Sequence, residues 1–135
     1  MPALILPPTL EDIDTLARAA LDSLPQPFPQ FTEGLVLQIA EFPDDDVLQE
    51  MDIEDPFEIM GLYQGIGIDK KFEAQSGALP DIVFLYRRPI LDYWCETGED
   101  LRHVVRHVLI HEIGHHFGLS DEDMDAIEAE AEADD

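Results

Sequence analysis

Two histidines with a glutamate beside the first form the segment of this sequence best suited to do chemistry. His111 and His115 are four residues apart, and Glu112 follows His111 directly. On a helix this spacing puts both imidazoles on one face, one turn apart, so their nitrogens can converge on one metal ion. Glu112 lies about 100° around the helix, where its carboxylate can take a proton from a water on that ion. The segment therefore predicts a zinc site with two ligands and a general base, built to hydrolyse an amide bond.

A catalytic zinc ion needs a third protein ligand and an open fourth position. Gly118 can adopt the left-handed conformation that ends a helix and reverses the chain. Asp121 would then return towards the ion from below the helix end. The spacing makes His111, His115 and Asp121 the candidate metal ligands, in the pattern H-E-x-x-H-x-x-G-x-x-D.

This pattern resembles that of the small bacterial zincin-like metallopeptidases, a minimal zincin family related to the metzincins. Four further strings look like the same family: Gly61–Gly65, Leu79–Ile82, Leu85–Pro89 and Val105–His107. The resemblance covers roughly residues 30–125. It implies a compact α+β fold with a short sheet beside the active-site helix. It also implies zinc on His111, His115 and Asp121, with Glu112 as the base.

The sequence departs from the larger metzincins at its third ligand and after it. That ligand is usually histidine in those enzymes, whereas this chain has Asp121. Those enzymes also carry a methionine turn well downstream of the ligand. Met124 is only three residues after Asp121 on a predicted helix, so we do not assign it to such a turn. The short chain leaves little room for a deep cleft, which favours limited intracellular processing over digestion.

Three more histidines lie near the motif. His103 and His107 continue the four-residue spacing, but each step of four drifts by about 40° around a helix. We therefore expect His103 to point well away from His115, and His107 to lie behind the ligands or in the core. His116 is off the ligand face and is expected to be a partly buried structural histidine. If a ligand assignment fails, His107 and His116 are the substitutes.

The remaining side chains with chemical potential have structural explanations. The aromatic residues near the third predicted strand are expected to pack rather than to line a substrate groove; they are Tyr86, Tyr93 and Trp94. Arg87 and Arg88 are expected to pair with acidic residues, with a substrate carboxylate as the alternative. Cys95 is expected to be a small packed hydrophobe.

Three helices are predicted to frame the site. The first runs from about Leu10 to Leu24, with Thr9 as N-cap and Asp12 in the capping-box position. The long helix that carries the motif has Thr97 as its candidate N-cap and ends at Gly118. The last is acidic and alanine-rich, and spans residues 121–135. Ser120 and Asp123 form its predicted capping box, and its acidic residues are expected to be a solvated face.

Three strands are predicted between these helices. They are Gly34–Phe42, Ile59–Gly65 and Asp81–Arg87. The acidic segment Asp44–Glu58 is expected to be a loop with one short helical turn, and residues 70–80 a polar connection. Helices at both ends and strands in the middle predict an α+β fold with a short central sheet packed against the active-site helix.

Composition narrows the classes of function. At 135 residues, the chain is expected to be one domain spanning residues 1–135. The net charge of −24 opposes nucleic-acid and anionic-membrane binding, and weakly favours a basic peptide or protein as substrate or partner. Cys95 is the only cysteine, which indicates a reducing compartment. With no signal peptide or membrane span predicted, the protein is expected to be cytoplasmic.

Two other classes stay open beside a zinc peptidase. A zinc-stabilised module that binds a partner without catalysis would have the same ligands. Metal-dependent ribosome-maturation ribonucleases have a related histidine spacing, but they lack the glutamate after the first histidine and this chain is strongly acidic. Two histidines and a carboxylate can also hold iron(II).

Overall fold

The computed structural model describes residues 6–25, 32, 34–65 and 81–133, and the connection predicted over residues 70–80 lies outside them. The predicted α+β class is confirmed. The elements within the described residues, in chain order, are α1 (Leu10–Asp22), β1 (Val36–Ala40), α2 (Asp45–Glu50), a 3-10 helix (Pro56–Glu58), β2 (Gly61–Gln64), β3 (Ile82–Tyr86), α3 (Arg87–Thr97), α4 (Leu101–His116) and α5 (Asp121–Ala133).

The strands form one mixed sheet in the order β1-β3-β2. The central strand β3 is parallel to β1 and antiparallel to β2, with Gly61 opposite Leu85 and Tyr63 opposite Val83. Directly opposed residues in an antiparallel pair point to the same side of the sheet. Because Val83 and Leu85 are fully buried, Gly61 and Tyr63 belong to the covered side as well.

Helices α1 and α4 cover this side of the sheet, with α1 against β1 and α4 against β2 and β3. The capping box of Thr9 and Asp12 is confirmed at the start of α1. The apolar residues of the two helices bury most of the core: Ile13, Ala17, Ala20, Val104, Val105, Val108, Leu109, Ile110 and Ile113. Each large side chain buried in this way stabilises the fold by about 1.5–3 kcal/mol, which makes α4 a rigid platform for the histidines it carries.

Helix α3 was not predicted, and the assignment of Thr97 as the N-cap of the motif helix is wrong. Thr97 is the last residue of α3, and Asp100 caps α4 by accepting a hydrogen bond from the backbone N–H of Arg102 at 2.8 Å. A proline disfavours a helix at interior positions. Pro89 lies in the first turn of α3, where its missing N–H costs nothing. Gly98 ends α3 in the left-handed conformation, with φ 71°.

The chain leaves α4 through a Schellman motif, and the left-handed conformation predicted for Gly118 is confirmed. Gly118 has φ 78°. The backbone N–H groups of Gly118 and Leu119 donate to the carbonyls of His115 at 3.2 Å and Gly114 at 2.9 Å, which is the paired hydrogen bonding of this motif. The predicted capping box of Ser120 then starts α5.

Helix α5 runs back along α4 and packs on it through Met124. Met124 is fully buried and lies over Gly114, where an added Cβ would overlap the sulfur of Met124. It is part of a helix, as expected, and does not form a methionine turn. In the part of the chain that the structure describes, no helix has the length and apolar character needed to cross a membrane.

Candidate metal centre

The structure brings the three predicted ligands together. His111 and His115 lie on α4, and Asp121 is the first residue of α5. One donor atom from each lies within 4.8 Å of the other two. His115 Nε2 and Asp121 Oδ1 are 3.6 Å apart, close to the about 3.3–3.4 Å that separates two ligand atoms bound at about 2.0–2.1 Å to a tetrahedral zinc ion. We call these three residues the open group.

The reversal of the chain after α4 is what makes Asp121 a neighbour of His115. Only two residues, Leu119 and Ser120, separate Gly118 from Asp121, so the first turn of α5 meets the last turn of α4. The side chains of His115 and Asp121 are 60% and 84% exposed. An ion held by these two side chains would therefore lie at the surface of the described part of the protein.

Glu112 lies beside the open group, between α4 and β2. An added Cβ at Gly61 would be 2.8 Å from Val108 Cγ1 and 3.2 Å from Glu112 Cγ, so the glycine is what lets the strand pass this close. Burial raises the pKa of Glu112 to about 7, opposed by the charge of His115 and by a hydrogen bond from the backbone of Tyr63. The carboxylate of Glu112 is therefore a stronger base than that of an exposed glutamate.

Tyr63 fixes the end of α4 against the sheet. Its ring stacks on His116 with centroids 3.9 Å apart and packs edge-on against Phe117. Its hydroxyl donates a 2.7 Å hydrogen bond to the buried Asp81, and burial followed by Asp81 raises the pKa of Tyr63. His116 is exposed, not partly buried as predicted, and it is structural through this stacking contact.

A second group lies one helical turn earlier, and sequence reasoning missed one of its members. Glu128 on α5 reaches both His107 and His111, and these three residues also bring one donor atom each within 4.8 Å. We call them the inner group. Glu128 was expected to belong to a solvated face, but its side chain is only 20% exposed. It is seven residues after Asp121, two helical turns on the same face, and this spacing is the signal that would have found it.

The other side chains considered from sequence have mostly structural positions. Arg87 pairs with Glu41 at 2.8 Å as expected, whereas Arg88 lies over the ring of Phe42, 5.5 Å from its centroid. Tyr86 is buried, and burial, Asp44 and Glu112 raise its pKa to about 12. The prediction that Cys95 is packed is wrong, because this residue is exposed.

Comparison with known families identifies the family of this chain. The family model described as Zincin-like metallopeptidase matches residues 32–131, which include the three strands, all of α4 and α5 as far as residue 131. The chain belongs to the zincin-like metallopeptidase family. A comparison with curated proteins found no match.

Proposed function

We propose that this protein is a zinc-dependent peptidase whose ion is held by His111, His115 and Asp121, with Glu112 as general base. The observation that carries the proposal is the convergence of the three donor atoms within 4.8 Å directly beside the partly buried carboxylate of Glu112. Membership of a metallopeptidase family supports the same class of reaction.

The donor set fits zinc. Two imidazoles and one carboxylate are a recurrent set of three ligands in catalytic zinc sites, and they leave the fourth position for water. A zinc ion bound there supplies a Lewis acid that acidifies a water molecule and polarises a peptide carbonyl. The exposure of His115 and Asp121 keeps that fourth position accessible.

Glu112 handles the proton in the proposed reaction. Its carboxylate accepts a proton as water attacks the peptide carbonyl, and it then passes this proton to the leaving amine. Burial disfavours the charged form of Glu112, so proton uptake is easier than for an exposed glutamate. Gly61 and the backbone of Tyr63 hold this carboxylate in place.

The sheet offers a place for an extended peptide. Within the described residues, β2 pairs only with β3, and it is the strand against which Glu112 packs. An extended segment can add to such an edge through backbone hydrogen bonds. The net charge of −24 favours a basic peptide or protein substrate, and we place the reaction in the cytoplasm, where a single exposed cysteine stays reduced.

Metal analysis and peptide cleavage on the same samples test the proposal. Protein purified without a histidine tag is analysed for zinc and iron, and is incubated with a peptide library containing basic and acidic members. We expect zinc, cleavage of basic members, and loss of cleavage with retained zinc in Glu112→Gln. Glu122→Gln is the matched control, an exposed glutamate in the first turn of α5.

The alternatives correspond to other results of this experiment. Retained cleavage in Glu112→Gln would remove Glu112 from the reaction. Zinc without cleavage of any library member would favour the zinc-stabilised binding module. Zinc binding in Asp121→Ala equal to that of the wild type would remove Asp121 from the ligand set.

A further inference from the structure

The carboxylate of Glu128 bridges two histidines of α4. Its Oε1 lies 2.6 Å from His107 Nδ1, a hydrogen bond that an ion between these atoms would replace, and its Oε2 lies 3.4 Å from His111 Nε2. The two imidazole rings are tilted by 37° to each other, with centroids 4.1 Å apart. The inner group therefore has two nitrogen donors and one carboxylate, the same donor types as the open group, in a more enclosed setting.

His111 Nε2 has the environment of a metal ligand rather than of a hydrogen-bonded group. This atom is inaccessible to solvent and has no hydrogen-bond partner. An unsatisfied buried nitrogen costs about 1–3 kcal/mol, so its presence calls for a ligand. Its 3.4 Å separation from Glu128 Oε2 equals the about 3.3–3.4 Å expected for two ligands of one tetrahedral zinc ion.

A cavity adjoins the inner group and has room for further ligands. It has a volume of about 310 Å³, and His107 and Glu128 form part of its wall. The polar residues that complete the lining are Tyr93, Glu99, His103 and Asp125. Two further carboxylates facing the same space attract a cation, and the volume accommodates water molecules that would complete its coordination.

We propose that His107, His111 and Glu128 form a second, alternative position for a transition-metal ion, in competition with the open group for His111. A neutral imidazole has only one nitrogen with a free lone pair, so His111 serves one ion at a time. An ion in the inner position is held away from His115 and Asp121, and this makes it a resting position. The inner site stands on its own geometry, and only the competition depends on the proposed function.

Zinc titration of variants that leave one group intact tests this proposal. His115→Ala/Asp121→Ala keeps only the inner group, and His107→Ala/Glu128→Gln keeps only the open group. We expect one equivalent of zinc in wild type and in each double variant by equilibrium dialysis. Cobalt(II) spectra should differ between the two double variants. Adding Glu128→Gln to the first should abolish its binding.

Failure of this proposal differs from failure of the proposed function. No zinc in His115→Ala/Asp121→Ala, with normal helical circular dichroism, would overturn the inner position. If the double variant unfolds, His115→Gln alone gives the same test, with retained zinc expected and lost zinc overturning the proposal. No zinc in His107→Ala/Glu128→Gln would count instead against the open group. Glu130→Gln is the matched control on the exposed face of α5 and should bind zinc as the wild type does.

Discussion

His111 belongs to both the open group and the inner group. These two groups, which we call the open side and the inner side of His111, offer a metal ion the same types of ligand in different surroundings. On the open side, the carboxylate of Asp121 is 84% exposed and begins a helix just after a turn. On the inner side, the carboxylate of Glu128 is 20% exposed, lies two turns inside the same helix and contacts two histidines. Both sides are built from one residue of α5 and two residues of α4.

The difference shows what exposure does for a metal position. An ion on the open side can bind water and substrate, as catalysis requires. An ion on the inner side would have more enclosed ligands and an adjoining cavity of about 310 Å³, which suits retention of the metal. Equal ligand chemistry thus supports two roles, and the position of each carboxylate along α5 selects between them.

Removal of the residue shared by both sides should have the largest effect. His111→Ala leaves each group with two ligands, so we expect no zinc after dialysis and no peptide cleavage. His116→Gln changes another histidine of α4 outside both groups and should retain one equivalent. If His111→Ala binds zinc at the level of the wild type, His111 is not a ligand that both groups require.

Glu112 allows the open side to be probed through pH. After the metal is removed with a chelator, a folded-state pKa of about 7 against 4.5 in the unfolded chain means that folding takes up a proton between these values. The free energy of unfolding contributed by Glu112 therefore falls as pH rises through this window. Glu112→Gln should raise stability above pH 7 by up to about 3 kcal/mol, since a tenfold change in proton affinity is worth about 1.4 kcal/mol.

Urea denaturation of the chelated protein at several pH values measures this effect. The advantage of Glu112→Gln should vanish below pH 4.5, where the glutamate is protonated in both states. Glu122→Gln, at an exposed position, should show no such pH-dependent gain. An equal gain at all pH values would mean that packing rather than charge burial distinguishes the two side chains.

Gly114 tests whether both sides depend on close contact between α4 and α5. In Gly114→Ala the methyl group would overlap Met124 Sδ and lie 2.9 Å from its Cγ. Overpacking of this kind costs about 1–3 kcal/mol, offset by a gain of up to about 1 kcal/mol in helix propensity. We expect thermal denaturation to show a net loss and zinc affinity to fall for both groups.

Gly34→Ala is the control for this substitution. Nothing lies within 4 Å of an added Cβ at Gly34, although its φ of 77° makes any side chain strained. It should lose stability without a change in zinc affinity. Unaltered zinc binding in Gly114→Ala would show that the two helices can separate without disturbing either group.

Removal of a helix capping box should have the smallest effect, and this effect should differ between the open group and the inner group. Thr9→Ala and Ser120→Ala each remove a capping box, and each should cost about 1 kcal/mol of stability. Ser120 directly precedes Asp121, whereas Thr9 caps α1. In His107→Ala/Glu128→Gln, which keeps only the open group, Ser120→Ala should weaken zinc binding. In His115→Ala/Asp121→Ala, which keeps only the inner group, it should not. Thr9→Ala should leave zinc binding unchanged in both double variants.

The parts of the fold predictable from sequence were those specified by local chemistry. The capping boxes at Thr9 and Ser120 and the left-handed turn at Gly118 each follow from a few neighbouring residues, and all three are present. The strand β3 was predictable because a short, continuous apolar run is typical of a central strand, and β3 lies between β1 and β2. Helix α3 escaped prediction because Pro89 is compatible with a first turn and incompatible with a helix interior, and the sequence does not show where the helix starts.

The site shows the same division. His111, Glu112 and His115 are brought together by one helix, and Asp121 by one turn, so their proximity was predictable. The contact of Glu128 with His107 and His111 depends on how α5 packs along α4, which is set by the absence of a side chain at Gly114 and the length of Met124. Contacts of this kind arise from tertiary packing. The seven-residue spacing of Asp121 and Glu128 indicates that they share a helix face, but it does not show which histidines that face contacts.

The proposed ligands are histidines on α4 and carboxylates on α5, so any bound ion would cross-link α5 to the rest of the protein. Zinc binding and the docking of residues 121–133 would then be linked equilibria, in which free zinc stabilises the docked α5 by mass action. Amide hydrogen exchange should report it, with protection of α5 rising with zinc concentration while protection of β3 stays constant. The concentration of free zinc would thereby set the fraction of molecules in which α5 is docked on α4.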